Sequence, residues 1–512
     1  MKKLKLLFAC IFLCTATAFA DVEINETNFP DANFRAFVSG LVNGRNVITN
    51  AEIAEVTKID VSFSKDCCCD WQYFDDRIIF DLTGINFFTN LEVLYCANNY
   101  LTSLDVSNLT NLRRLDFSNN EVKLFDTSNL INLQYLNGAR NNFRSLDVSS
   151  LTNLKALNIE FNWLTSLDVS GLTNLKELNI TFNWLTSFDV SDLTNLKRLH
   201  IGSNQLTSLD VSALTNLELL GIANNQLTSL DVSNLINLTV LDARWNQLTS
   251  LDVSNLIYLT GLWLENNQLT SLDVSRLINL QNLIVPRNQL ISLDVSNLTN
   301  LTRLRVNGNQ LTLLDVSNLT NLRELEANWN RITTLDVSRL TNLQVLNVSA
   351  NQLTSLDVSN LTRLWSLWVS SNQLTSLDMP NLTTPNGWIH FLGNNQNPTL
   401  TLTGRDNNYT LAIELNNPTE LAFGLNYENG ILISTDNTIA SSPFSVAIGD
   451  PRFRLSGTLN LLYTYGTNIP EINLNRTPVA FYTITGVRLG QKPQSGIFII
   501  LYCDGSAEKV MR

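Results

Sequence analysis

From Asp105 to Asp378 an aspartate recurs every 21 residues, fourteen times without a slip. It marks a unit, L-x-x-L-x-x-x-x-N-x-L-T-S-L-D-V-S-N-L-T-N, that fills well over half of the 512-residue chain. A fixed period requires every unit to form the same coil, each burying its apolar face against its neighbours. No coil carries an inserted loop. Whatever distinguishes one coil from the next must be a change of side chain on a constant lattice.

One unit shows what each coil can be. Its apolar residues are Leu112, Leu115, Phe117, Val122, Phe125 and Leu130. Their spacing follows neither a 3.6 nor a strict 2 period. Only Leu115 to Phe117 alternates like a strand, with Arg114, Asp116 and Ser118 on the other side. The remainder must return within about a dozen residues, too few for a crossover helix. An extended or 3₁₀ return fits that length. Asn120 has a counterpart in each coil, from Asn99 to Asn372. A polar group among apolar ones needs partners or costs about 1–3 kcal/mol, so we expect an asparagine ladder bonded to the backbone of its own and adjacent coils. The aspartates precede serine and asparagine, as Asp105 precedes Ser107 and Asn108. That order favours capping of a tight turn. The alternative is a cation rail, but calcium wants six to eight oxygens and each coil supplies one carboxylate. We expect capping and no metal.

The L-x-x-L-x-x-x-x-N pattern over about residues 78–395 resembles the leucine-rich repeat family, and within it the internalin-like bacterial surface proteins. The resemblance implies a curved parallel-sheet solenoid whose concave face usually binds a partner protein. The 21-residue length and the rigid L-D-V-S return depart from the commoner pattern. The expected fold is a β-rich solenoid of about 14–15 coils, with a small helical N-terminal cap and a C-terminal antiparallel β-domain.

Residues 1–20 read as an export signal: Lys2, Lys3 and Lys5, an apolar run from Leu6, then Ala18-Phe19-Ala20. The apolar run is too short to span a bilayer. Loss of three lysines takes the net charge from −12 to −15. With no basic stripe evident, nucleic acid is excluded as a partner, and an acidic membrane surface is disfavoured by the same sign. Cys67, Cys68, Cys69, Cys96 and Cys503 remain, an odd number whose pairing the sequence leaves open. The spacing of zinc sites is absent. Cys96 occupies a core strand position and reads as a small buried hydrophobe.

Open solenoid ends need covering. Residues 21–75 read as the N-terminal cap, with helices expected at Asp31 to Val38 and Asn50 to Val56. The segment from Leu41 to Glu52 resembles the loop of an EF-hand-like module, but Leu41, Asn43, Arg45 and Asn46 have replaced the ligands, leaving Glu52 alone. The solenoid is placed at 76–396. Period-two runs and turns such as Asn416-Asn417-Pro418 mark a sandwich-like β-domain at 397–470. Residues 471–512, with turns at Gly486, Gly490 and Gly496, resemble type IX secretion sorting domains through Ser495-Gly496-Ile497-Phe498 and the basic Lys509 and Arg512. That resemblance implies export from a Gram-negative cell to its surface or surroundings.

Catalysis lacks its groups. His200 and His390 are the only histidines, and no phosphate loop, zinc helix or nucleophile elbow occurs. No cofactor is implied. Binding is better supported, because the outward strand positions vary while the frame is constant. One such position runs from Tyr95 through Asp242, Trp263, Arg305 and Glu326 to Trp368. The site before the ladder asparagine holds Phe161, Phe182, Trp245, Arg287 and Trp329, whose aromatics read either as part of this face or as packed along the edge of the solenoid. Exposed aromatics and arginines are what interface hot spots use. We expect a secreted or surface-displayed adhesin or host-interaction factor that binds a protein. Trp245, Trp263, Arg305, Trp329 and Trp368 are the expected anchors, with Asp242, Arg244 and Glu326 setting orientation. Glycan binding by the same tryptophans is the alternative.

Overall fold

A coil of 21 residues must bury its leucines and still leave no backbone group unpaired, and its structure follows from those two demands. The computed structural model describes residues 21–63 and 77–374 in full, with the backbone of short strands between 376 and 511. The leader at 1–20 and the cysteine triplet at 67–69 lie outside the described residues. The chain divides into two compact units, residues 1–214 and 215–512.

Both units contain the same coil. It opens on a three-residue strand whose central leucine is buried, from Val93–Tyr95 to Arg198–His200 in the first unit and from Leu219–Gly221 to Ser366–Trp368 in the second. Within each unit the strands form a parallel sheet in which every residue pairs with the one 21 further on, as Leu115 with Leu136 and Leu262 with Leu283. The solenoid expected from the period is therefore present, with side chains of one position stacked in rows. After the strand the chain takes a left-handed residue, such as Asn119 (φ 56°) or Arg140 (φ 55°), and then the ladder asparagine. The return consists of consecutive i→i+3 turns: the N–H of Leu109 bonds to Val106 O at 2.9 Å, and that of Leu112 to Leu109 O at 3.0 Å. These are 3₁₀-type bonds, as the short return demanded.

Each buried asparagine ties its own coil to the preceding one at two points. The Asn141 amide donates to Phe117 O (3.1 Å) and Gly138 O (3.2 Å), while its oxygen accepts the N–H of Val122 (3.0 Å). A second ladder, not read from the sequence, lies in the L-T-N segment. Asn132 donates to Thr110 O at 3.0 Å and Asn153 to Ile131 O at 2.9 Å, each reaching back 22 residues. Hydrophobic stacking sets which coils touch, and the two amide rows set their register.

The aspartates cap turns, as expected. Asp126 accepts the N–H of Ser128 at 2.9 Å; Asp273 accepts both the N–H of Ser275 at 3.0 Å and its hydroxyl at 2.7 Å. The backbone bond chiefly lowers the Asp126 pKa below its ordinary 3.8, and the serine hydroxyl chiefly lowers that of Asp273. Repulsion from Asp105 and Asp147 acts on Asp126 in the other direction and loses to these bonds. Cys96 is buried and unpaired, and burial pushes its thiol pKa up, which suits a hydrophobe and not a nucleophile.

Ahead of the coils, α1 (Ala32–Leu41) and α2 (Asn50–Glu55) fall where their capping residues put them. Asp31 accepts the N–H of Asn33 and Phe34, and its other oxygen accepts that of Phe80 (2.8 Å), which joins the helix start to the first coil. Phe29 and Phe87 add an apolar contact at the same seam. Glu52, the last carboxylate of the EF-hand-like segment, has a structural employment: it closes a capping box with Thr49 and bonds Arg45. The Thr49 backbone bond leads in holding its pKa down to about 2.

Beyond residue 374 the strand pairings differ in part from the antiparallel expectation. Gly387–Leu392 falls within the expected solenoid and continues its parallel sheet on Ser366–Trp368; the departure is that it also pairs in parallel with Tyr409–Glu414, and Thr401–Thr403 in parallel with Ser376–Asp378. Parallel and antiparallel strands share a period of two, so alternation could not distinguish them. Leu425–Glu428 with Ile431–Ser434 is an antiparallel hairpin, and four antiparallel strands occupy 478–511. The side chains that would define a sandwich or a sorting domain lie outside the described residues.

Replacing Asn183 by alanine orphans the buried N–H of Leu164, and Ile159 O and Ile180 O each lose one of two asparagine donors. Urea unfolding should show a loss of roughly 2 kcal/mol or more. The aspartate caps make acid destabilising. A carboxylate with a depressed folded pKa contributes stability above its unfolded value, and that stability is lost as pH falls through the folded value. The melting temperature should hold from neutrality to about pH 5 and drop below about pH 4.

Candidate ligand-binding face

Strand-like alternation outlasts the strand. In the second unit the N–H of Ala243 bonds to Trp263 O (2.9 Å) and that of Trp245 to Glu265 O (2.8 Å), so the ladder runs on for several residues. Three side chains per coil therefore share the sheet face. They are the first and third strand residues and the residue two further on, as in Gly261, Trp263 and Glu265. The sequence reading used chiefly the middle row.

The outer rows explain how the tryptophans sit. Trp263 is half-buried, and a Cβ placed on Gly261 would come within 2.3 Å of the indole ring. The ring therefore folds back across the glycine of its own strand. Trp368 does the same over Ser366, its Nε1–H donating to the serine Oγ at 2.9 Å. Both small residues are buried beneath. Gly-Leu-Trp and Ser-Leu-Trp are thus paired choices, with a small residue making room for an indole to lie along the sheet. Neither ring is wedged into the hydrophobic interior.

Two groups of charged side chains on this face are paired internally. Arg244 holds Asp242 through two bonds, at 2.9 and 2.8 Å, and that carboxylate raises the arginine pKa. Glu324 accepts from Arg303 at 2.8 Å and from Arg305, and Arg305 also lies 3.6 Å from Glu326. Burial raises the Glu326 pKa against the pull of Arg305. Arg303 and Glu324 were missed from the sequence because they occupy the first row. On three consecutive coils of the third row, Asn307 Oδ1, Asn328 Oδ1 and Ser349 Oγ are buried without a hydrogen-bond partner. Such atoms are costly unless a donor reaches them. They flank the ionic cluster and lie between the coils of Trp263 and Trp368.

Trp245 and Trp329 are elsewhere. Each precedes a ladder asparagine with φ near +55°, and they are 50% and 69% exposed. The expected anchors therefore split into two rows. Trp263, Arg305 and Trp368 lie on the sheet, while Trp245 and Trp329 stand on the turn rim. Bulky residues seldom adopt this backbone, which costs about 1–2 kcal/mol.

In the first unit the rim carries an aromatic cluster only half seen in the sequence. Phe161 and Phe182 stack at 4.1 Å between centroids, and Trp163 and Trp184 at 6.1 Å. Phe-Asn-Trp, repeated at 161–163 and 182–184, was the available signal. His200 stands in register with Asn179, not with a nucleophile. Lys155, Lys176 and Lys197 occupy one position on consecutive coils, a short basic row that the overall charge concealed. A polar cleft of about 360 Å³ in the second unit is lined by Gln281, Asn300, Thr302, Asn321, Arg323 and Asn342. Its asparagines belong to the second ladder and serve structure. Among the described residues no group of histidine, cysteine and acidic side chains could hold a metal, and no helix is long and apolar enough to cross a membrane.

Models of leucine-rich repeats match residues 89–132, 171–187 and 192–214, and a model of the LVIVD repeat matches 306–328. The chain is similar to the functional domain of InlJ from Listeria monocytogenes, whose structure includes a cysteine ladder. Identity is 30% over 87% of this chain and 99% of that one, with a TM-score of 0.67. It is also similar to the internalin InlF of the same species (28% identity, 67% and 100% covered, TM-score 0.56). A leucine-rich repeat protein of Leptospira interrogans is 30% identical over 67% of this chain and 91% of its own, with a TM-score of 0.57. No curated protein matches.

Gly261→Val would drive the Trp263 indole off its strand while leaving the buried leucines untouched. Fluorotryptophan NMR should show one shifted, more exposed resonance, with an unchanged melting temperature.

Proposed function

The chain belongs to the internalin-like leucine-rich repeat proteins, and from that premise we propose that the sheet face of its second unit holds a protein ligand between Trp263 and Trp368. The observation that carries this reading is the pair of indoles laid over Gly261 and Ser366. Their orientation is set before any partner arrives, which lowers the ordering cost of binding. Between them the Arg303, Arg305, Glu324 and Glu326 cluster offers a charge pattern, and Asn307, Asn328 and Ser349 offer polar atoms that a partner's donors would satisfy. Trp245 and Trp329 extend the contact over the rim, and the Asp242–Arg244 pair orients the ligand. The protein acts as a binding scaffold, not as a catalyst.

The leader at 1–20 supports export, and the C-terminal segment supports display or release by a type IX route from a Gram-negative cell. The role is that of an adhesin or host-interaction factor. A glycan is the second reading, favoured by indole faces lying flat beside asparagines and carboxylates, the arrangement suited to sugar stacking.

A crosslinking pull-down with the intact chain tests the site. The Trp263→Ala/Trp368→Ala double variant should lose at least about 30-fold in affinity for the recovered partner, from hot-spot losses of 2 kcal/mol or more. Its melting temperature should not change. Undiminished binding would remove these residues from the site. Hits on a glycan array, with none on a protein array, would favour the second reading.

A further inference from the structure

We propose that the turn rim of the first unit carries a separate docking slot for an arginine side chain of a partner protein, formed by the outer face of Phe182 above Ser203. The slot is the open end of a column. The Arg140 guanidinium lies over the Phe161 ring at 4.1 Å from its centroid. Phe161 lies on Phe182, again at 4.1 Å, with ring planes only 14° apart. Each member occupies the same left-handed position on consecutive coils, so the column grows by one planar group per coil. The next position is Ser203, whose side chain is too short to cover a ring. Phe182 accordingly remains 47% exposed.

A planar group fits there, and three features select guanidinium. Arg140 shows that this column accepts one on its other end. Glu160, next to Phe161 in sequence, places a carboxylate on the coil of Phe182, where it accepts from the Asn179 amide at 2.8 Å. The protein as a whole is strongly acidic, which draws a cationic partner. Two residues beyond each phenylalanine, Trp163 and Trp184 are 52% and 49% exposed and stack on each other, an apolar surface suited to an arginine's methylenes. This surface is distinct from the sheet face of the second unit.

The test compares tetra-arginine and tetra-lysine amides by calorimetry at physiological salt, using the full chain. An exposed cation–π contact corresponds to about 2- to 5-fold in affinity, so the wild type should prefer tetra-arginine, whose planar group stacks flat on the ring, by up to about that factor. Phe182→Ala should abolish that preference. Ser203→Arg should abolish it too, by filling the slot from within, and should leave the melting temperature unchanged or higher, since Arg140 and Arg287 already adopt this backbone. Trp263→Ala/Trp368→Ala should retain the preference, which separates this slot from the sheet face. Equal binding of the two peptides, a preference that survives both slot variants, or tighter binding of N-acetyltryptophanamide at the slot would overturn the proposal.

Discussion

One buried amide per coil holds this structure in register. Leucine side chains make stacking favourable but tolerate sliding, because apolar contact is non-directional. The ladder asparagine removes that tolerance: its oxygen takes an N–H from the preceding coil while its nitrogen reaches one carbonyl of that same coil and one of its own. A slipped register would leave several buried polar groups unpaired in each coil at once. The second row of asparagines repeats the device at the other end of the strand.

That rigidity is what allows the outward positions to vary so widely. Glycine, aspartate, tryptophan, isoleucine and arginine follow one another in a single row, from Gly221 to Arg305, without disturbing the coil. The left-handed residue is the sharper case. Asparagine, serine, alanine and glycine occupy it in some coils, yet Phe161, Phe182, Trp245 and Trp329 adopt the same backbone with aromatic side chains. The coil overrides their local preference, and strain of this kind tends to collect where surfaces act.

The fold was legible because its causes repeat. Leu115, Asn120 and Asp126 each recur with the period, and each has one physical reason to do so. The face was legible only in part. Trp263 and Trp368 were readable as outward residues, but their posture depends on Gly261 and Ser366, two residues earlier, and reading one row at a time hides such couplings. Trp245 and Trp329 were readable either as part of the same wall or as edge residues, because nothing local in a tryptophan announces a left-handed backbone; their place on the turn rim fits the second. Glu324 escaped notice for want of a first-row reading. After residue 374 the alternation remained visible, but pairing direction does not show in a period of two.

The placement of Trp263 and Trp368 also bears on how such a protein changes partners. They lie five periods apart in one ladder, and neither posture depends on the coils between them. Duplication or loss of a whole coil by recombination would move the two indoles apart or together by one strand spacing, about 4.8 Å, while leaving each local nest intact. The distance measured out by this ruler can thus drift in quanta, and a lineage could sample ligands of graded length without ever passing through a broken fold.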